Sequence, residues 1–310
     1  MAEICTCAGT SYGNTGVDGC ATIGKTPYNI IVMPKYAVDG TENVIDLTSA
    51  TLGQDIKDLC NAVTVPQSRL YPLPFAENFQ ITKSETIYET GPSGNKYKIK
   101  DGIRSYAFEL VDKNASVRLL ENLTKFGCSD MVYFVVDIEG KIEGWKSEGT
   151  STDLHGFPMS NSTWNAILTY ATDTTVQKLM VSFDQSQYFN DGSIYYLTPN
   201  DLGYSATELK GLVSATATVG TITTTGAVVT IKKGSTDAVS TGVPIVGLLL
   251  ANFALYNKTT STAVTITSVN ETSAGVYAIS YTAITGANSF RLTATAIGYD
   301  IPVVVYADPA

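Results

Sequence analysis

The chain contains one histidine, His155, so any Ser-His-Asp chemistry would have to run through that residue. It lies in Asp153-Leu-His-Gly-Phe-Pro158, a stretch flanked by Gly and Pro, and no Gly-x-Ser-x-Gly elbow accompanies it. A lone loop histidine of this kind reads as a surface residue, not as a base. Carboxylates are the next candidates for acid-base work. Glu77, Glu85, Glu89, Asp137, Glu139 and Glu143 are available, but nothing in their spacing orders two of them into a pair. The five cysteines are Cys5, Cys7, Cys20, Cys60 and Cys128. Cys5-x-Cys7 is too closely spaced for a zinc knuckle, and no second Cys pair or His cluster completes a tetrahedral site. They read as buried thiols, with a disulfide from Cys5 or Cys7 to Cys20, formed after release from a reducing cell, as the alternative. These residues predict no catalytic, metal or cofactor site, and the chain is expected not to be an enzyme.

Two further patterns point to ligands only weakly. Gly13, Gly16 and Gly19 have the spacing of a phosphate-cradling loop, but they precede the apolar stretch Tyr28 to Met33. Dinucleotide and P-loop glycines follow a strand and open a helix. Tyr188-Phe189 and Tyr195-Tyr196 offer flat faces for stacking a sugar or a base, yet aromatic residues are also favoured strand residues.

The elements around these residues are mainly strands. Hydrophobic residues make up 44% of the chain and charged ones only 16%, a mixture that favours strands and turns over exposed helices. Two helices are predicted. The first, from about Leu52 to Val63, places Leu52, Ile56, Leu59 and Val63 on one face behind the capping candidates Ser49 and Thr51. The second runs from about Ala115 to Phe126, with Asp112 or Asn114 as cap, Val117, Leu120, Leu123 and Phe126 as its stripe, and Gly127 as its stop. Met131 to Ile138 is apolar enough to be a central strand, and Glu139-Gly140 turns it back into Lys141 to Trp145. Thr163 to Tyr170 and Gln177 to Asp184 form another expected hairpin. Asp191-Gly192 is expected to turn into Ile194 to Leu197, with Thr198 to Gly211 as the connection between domains.

Between the helices lies a long predicted hairpin, about residues 78–110, turning at Gly91-Pro-Ser-Gly-Asn95. Its second limb sets Tyr97, Ile99 and Ile103 opposite Lys96, Lys98, Lys100 and Arg104. Its first limb is polar on both faces apart from Ile81, Ile87 and Tyr88. Strands too polar for a core and too long for a loop are expected to pair with another subunit or to face a wet lumen. Glu85, Tyr88, Glu89, Tyr97, Ile99 and Arg104 are the expected assembly residues.

From about residue 213 the chain becomes Thr- and Val-rich, with seven short strands at even spacing, including one predicted over Ala263 to Val269. Ser273-Ala-Gly-Val-Tyr277 resembles the tyrosine corner of immunoglobulin folds, with Ile279 at the place of the second cysteine. Two domains follow: 1–210, a β-rich part with an N-terminal arm and the hairpin, and 211–310, an Ig-like β-sandwich. The formal charge of -9 belongs to the first, since Lys232, Lys233, Lys258 and Arg291 balance Asp237, Glu271, Asp300 and Asp308 in the second. Such an acidic balance argues against a surface that grips duplex DNA. The longest apolar run, Val243 to Leu255, is interrupted by Pro244, Gly247 and Asn252 and falls short of a membrane span. The start, Met1-Ala-Glu-Ile-Cys5, lacks the features of a secretory signal, so a soluble, cytosolically made chain is expected.

The order of arm, β-sandwich or barrel with one or two packed helices, long hairpin and Ig-like module resembles that of phage tail tube (major tail) proteins. The stretch Cys7 to Cys20 is similar to a pattern in virion proteins of phages infecting Bacteroidota. The resemblance implies a homo-oligomer of stacked hexameric rings, assembled in the host cytoplasm and located in the virion tail. It also implies other virion proteins as partners, genomic DNA passing the lumen without specific binding, and host-surface glycans met by the C-terminal domain. Another phage structural protein (capsid, head-tail ring or decoration protein) and a carbohydrate-binding surface protein are the alternatives.

Overall fold

The computed structural model describes residues 24–100, 102–147, 152–186, 193–234, 242–283 and 288–307. Cys5, Cys7, Cys20, the glycines of the arm, Tyr188-Phe189 and the Asp191-Gly192 turn lie outside the described residues. The chain is mainly β and divides into two compact units, Met1–Gly211 and Leu212–Ala310.

The first unit is organised by the strand Met131–Asp137, whose seven residues are all buried. Side chains alternate across a strand, so a strand buried on both faces must feed two cores. Met131, Tyr133 and Val135 enter one, and Val132, Phe134 and Val136 enter the other. Its sheet runs Ile194–Leu197, Ile142–Trp145, Met131–Asp137, Pro27–Pro34, Tyr71–Pro72, with Phe157–Pro158 also pairing the central strand. Asp137 ends the strand by accepting the amides of Glu139 and Lys141, each at 2.9 Å, which shapes the expected turn at Gly140.

Over the first face lies a second, four-stranded antiparallel sheet ordered Asn165–Thr169, Lys178–Asp184, Arg104–Val111, Glu77–Lys83. Tyr106, Phe108, Leu110, Leu179, Val181 and Phe183 reach from it into the shared core. The short helix Val117–Thr124 packs there through Leu123, Leu119 and Leu120. Its cap differs from expectation. Asp112 and Asn114 form a separate 3-10 turn, and Ser116 is the cap, accepting from the Leu119 amide at 3.2 Å. Starting two residues later than predicted turns Val117 outward, where it is 64% exposed.

The other face is covered by the helix Leu52–Cys60, through Leu52, Ile56 and Cys60. Ser49 and Thr51 serve it indirectly: both hydroxyls donate to the Asp55 carboxylate, and neither accepts a helix amide as a side-chain cap. Burial pushes the Cys60 thiol up to about 12, which makes it an inert packing group. Cys128, by contrast, is exposed, which corrects the expectation that the thiols are buried. The segment after Leu197 is not a plain connection. Leu202, Ala206 and Leu209 are buried in this second core, and Ala206 donates to the Gly140 carbonyl at 3.1 Å.

The second unit is a sandwich. One sheet is ordered Ile266–Ser273, Val276–Tyr281, Gly226–Lys233, Val213–Thr223, and the other Thr262–Val264, Phe253–Asn257, Ser289–Ala294, Val304–Ala307. Read along the chain, this is the D-E-B-A and C′-C-F-G order of an Ig-like fold. Two expectations change. The strand predicted over Ala263 to Val269 is two strands, because the chain leaves one sheet at Val264 and joins the other at Ile266. Tyr277 therefore sits in the strand paired with Gly226–Lys233, the E position, whereas a tyrosine corner belongs at the start of strand F. Its fully buried hydroxyl donates to the Ile245 carbonyl at 2.7 Å, 32 residues upstream, and accepts from Leu248 at 3.3 Å. Glu271 pins the same segment by accepting the Gly247 amide at 2.9 Å and the Gly275 amide at 2.8 Å, bonds that hold its carboxyl below the usual range.

Two outcomes follow from these cores. Phe134→Ala empties a fully buried site and lowers the unfolding free energy of the first unit by about 3–5 kcal/mol in urea titrations. Tyr277→Phe leaves the Ile245 carbonyl without its donor and costs the second unit about 1–3 kcal/mol, with the transition of the first unit unmoved.

Candidate interaction hairpin

The strands Glu77–Lys83 and Arg104–Val111 continue past the body into a two-stranded ribbon, Ile87–Thr90 against Lys96–Lys100. The register that pairs Ile81 with Tyr106 and Lys83 with Arg104 is kept across the joint, where the Ser84 amide donates to the Ile103 carbonyl at 2.9 Å. The Ile103 amide returns a bond to Ser84 Oγ at 2.8 Å. Gly102 is required at this joint, since a Cβ there would stand 1.8 Å from the Ser84 carbonyl oxygen. The turn closes as expected, with Gly91 donating to the Asn95 carbonyl at 2.8 Å and Gly94 to that of Gly91 at 2.9 Å.

Eight of the nine residues in the two ribbon strands are exposed, the exception being Lys100. Ile87, Tyr88, Tyr97 and Ile99 are 54%, 55%, 58% and 61% exposed, and among the described residues none of them belongs to a core cluster. Cross-strand partners lie on the same face, which groups Tyr88 with Lys98 and Glu89 with Tyr97. Ile99 is the extra residue of a bulge between the pairs Ile87–Lys100 and Tyr88–Lys98. The Tyr97 ring covers Gly91 across the turn.

The six expected assembly residues thus divide. Tyr88, Glu89, Tyr97 and Ile99 come together on the ribbon, and Glu85 sits at its joint. Arg104 does not belong with them: it opens the body strand, on the face that Tyr106 and Phe108 turn toward the core. Its charge reaches Tyr106, Tyr133, Tyr196 and Glu143. Alternation along Arg104–Val111 carries the signal for that inward direction, but only once the boundary between ribbon and body is known.

Of the residues first considered for chemistry, Asp137 and Glu143 come near enough to interact, with burial and then the Asp137 charge raising the Glu143 carboxyl, and the others lie apart. His155 is bridged to Trp145 by two backbone bonds of 2.9 Å and stacks on its ring at 4.7 Å, with Nδ1 3.7 Å from Glu42 Oε2. It is a packed residue, which corrects the expectation of a surface histidine. Glu139 pairs with Lys141 at 2.7 Å, Asp137 holds the turn, and Glu77, Glu85 and Glu89 are exposed on the hairpin. Among the described residues no group of three or more His, Cys, Asp or Glu is arranged to hold a metal. A hollow of about 310 Å³ on the second sheet is lined by Gln80, Thr82, Ser105, Ser182 and Asp184 among others, with the Asp184 carboxylate accepting from Ser105 Oγ at 2.6 Å. No helix among the described residues is long and apolar enough to cross a membrane.

No family model matches the chain, and no curated protein matches it. Among solved structures, that of FdeC, an Escherichia coli adhesin, aligns over 79% of this chain and 70% of its own at 13% identity with a TM-score of 0.21. A likeness of that size assigns this chain no function.

Proposed function

We propose that the chain is a virion structural protein, a tail tube subunit that assembles with copies of itself into stacked hexameric rings around a DNA channel. The observation that carries this reading is the ribbon. An isolated two-stranded hairpin is marginal in water, and this one leaves four large apolar side chains more than half exposed and, among the described residues, outside both cores of its unit. A second subunit supplies the missing surface. The acidic balance of residues 1–210 supports a channel wall that DNA slides past, because duplex binding depends on neutralised phosphates. The neutral Ig-like unit is an exterior module, exposed to other virion proteins and to host-surface glycans. Assembly takes place in the host cytoplasm, and a phage of Bacteroidota is the expected source.

Purified protein examined by negative-stain microscopy should show rings or tubes with a continuous channel. Monomers persisting at high concentration would sink the proposal, and protein found bound to heads would move it to another part of the virion. In the triple variant Tyr88→Ser, Tyr97→Ser, Ile99→Ser the rings should vanish. Unfolding free energy should stay within about 0.5 kcal/mol of the wild type, because no body core includes these side chains.

A further inference from the structure

The longest apolar run of the chain, Val243 to Leu255, is only partly used by the core of the second unit, and no charged residue occurs from Val243 through Asn257. Ile245, Phe253 and Leu255 are buried in the sandwich, whereas Val243, Val246, Leu249 and Leu250 are exposed, Leu249 at 71%. A second loop ends beside them. Asn252 Nδ2 donates to the Thr295 carbonyl at 2.9 Å, and the Thr295 amide donates to the Asn252 carbonyl at 2.8 Å. The turn that follows is closed by the Tyr299 amide on the Ala296 carbonyl at 3.1 Å. It carries Ile297, which at 90% is the most exposed large hydrophobic residue among those described. These tips are held from behind: the Tyr277 hydroxyl bonds Ile245 and Leu248, the Glu271 carboxylate accepts the Gly247 and Gly275 amides, and Asn252 Oδ1 accepts the Leu249 amide at 2.8 Å. Stability has no use for apolar side chains at such positions, where polar ones cost almost nothing. Apolar exposure on adjoining loops marks a docking surface.

The polar groups at this end select the kind of partner. A protein interface makes about one hydrogen bond per 100–200 Å². Here the Glu271 carboxylate, the Asn252 side chain and the amides of Gly247, Leu248 and Leu249 are already bonded within the unit. Lipid favours that condition, because backbone groups that approach it must be satisfied internally. Lys232 and Lys233 stand at the rim as register partners of Pro244 and Val243, and the Lys233 ammonium lies 3.3 Å from the Tyr299 hydroxyl. Lysines and a tyrosine around apolar tips suit the headgroup level, where an apolar stem or ring meets a polar end.

We propose that this end of the Ig-like unit docks on a lipid surface: Leu249, Leu250 and Ile297 enter the apolar layer, while Lys232, Lys233 and Tyr299 stay among the headgroups. The surface belongs to the second unit and does not depend on how the first unit assembles. Among the described residues its charges are balanced, Lys232 and Lys233 against Glu271 and Asp300, so apolar burial drives the contact and anionic lipid is not required.

Co-sedimentation of the full chain with vesicles of phosphatidylcholine, alone or mixed with phosphatidylserine, tests this. The wild type should bind both compositions and stay bound at high salt, which screens charge but not apolar burial. Leu249→Ser and Ile297→Ser should each weaken partitioning about tenfold, and Ile297→Leu should keep it. Thermal unfolding should not move in any of them, since neither residue belongs to the core. In Ile297→Trp the new indole should shift its emission to the blue on vesicles and be quenched by lipids brominated on the acyl chains. Lys258→Trp, beyond the far end of the strand Phe253–Asn257, should show neither. A wild type that binds no vesicle overturns the proposal, as does binding unchanged by the two serines together. Binding confined to anionic vesicles and lost at high salt also overturns it, leaving the lysines as the contact. Self-association that the same serines abolish, without vesicle binding, gives this end to a second copy instead. Rings without vesicle binding leave the tube reading intact; vesicle binding by a chain that never forms rings supports the lipid surface and removes the tube.

Discussion

The structure of the first unit depends on one strand being buried on both faces. Met131–Asp137 places successive side chains into opposite cores, so neither face can be left to solvent. One face is sealed by a second sheet with the Val117–Thr124 helix, the other by the Leu52–Cys60 helix and the segment through Leu209. Burying a large aliphatic or aromatic side chain is worth roughly 1.5–3 kcal/mol, and this strand does so repeatedly in both directions. The covering layers follow from that demand. The second sheet carries the hairpin, and the hairpin therefore takes its orientation from the strand beneath it.

Some of this arrangement can be read from the amino acids alone, for local reasons. Met131 to Ile138 contains no polar residue before Asp137, and such a run has few alternatives to a central strand. Gly91-Pro-Ser-Gly-Asn95 is turn chemistry that needs no tertiary context. What escaped the reading depends on partners distant in the chain. Ser116 became the cap because Asp112 and Asn114 were spent on a 3-10 turn. The break between Val264 and Ile266 follows from pairing with different sheets, which a continuous Thr- and Val-rich stretch does not reveal. Tyr277 looked like a corner tyrosine because its local pattern fits one; its strand became E only through its pairing with Gly226–Lys233. His155 lay in a stretch that reads as loop, and its stacking on Trp145 depends on a bridge between separate segments.

The candidate site divides along the same line. That the ribbon is exposed was legible, since a limb polar on both faces cannot enter a core. The inward direction of Arg104 was not, because Lys96, Lys98, Lys100 and Arg104 form one basic series by parity. The register distinguishes them. Lys96 and Lys98 lie on a ribbon outside both cores, and the bulge at Ile99 puts Lys98 on the opposite face from Lys100, whereas Arg104 lies on the face of the body strand that leads into the inter-sheet core.

The continued backbone pairing of ribbon and body strands bears on how a marginal ribbon can act as a defined contact. Its own cross-strand pairs are each worth only about 0.2–1 kcal/mol, too little to hold fifteen or so residues in one direction. The body strand is different, with Tyr106, Phe108 and Leu110 locked among the aromatic rings of Phe79, Tyr133 and Phe183. Rigidity can pass outward along paired strands only as far as side chains remain packed, and inward packing ends at Arg104. Beyond it come Gly102 and the two Ser84–Ile103 bonds, and then solvent. The ribbon's direction is therefore set at the rim of the core, where inward packing ends and the paired backbone of Ser84 and Ile103 takes over, and not by the exposed apolar residues that a partner would touch.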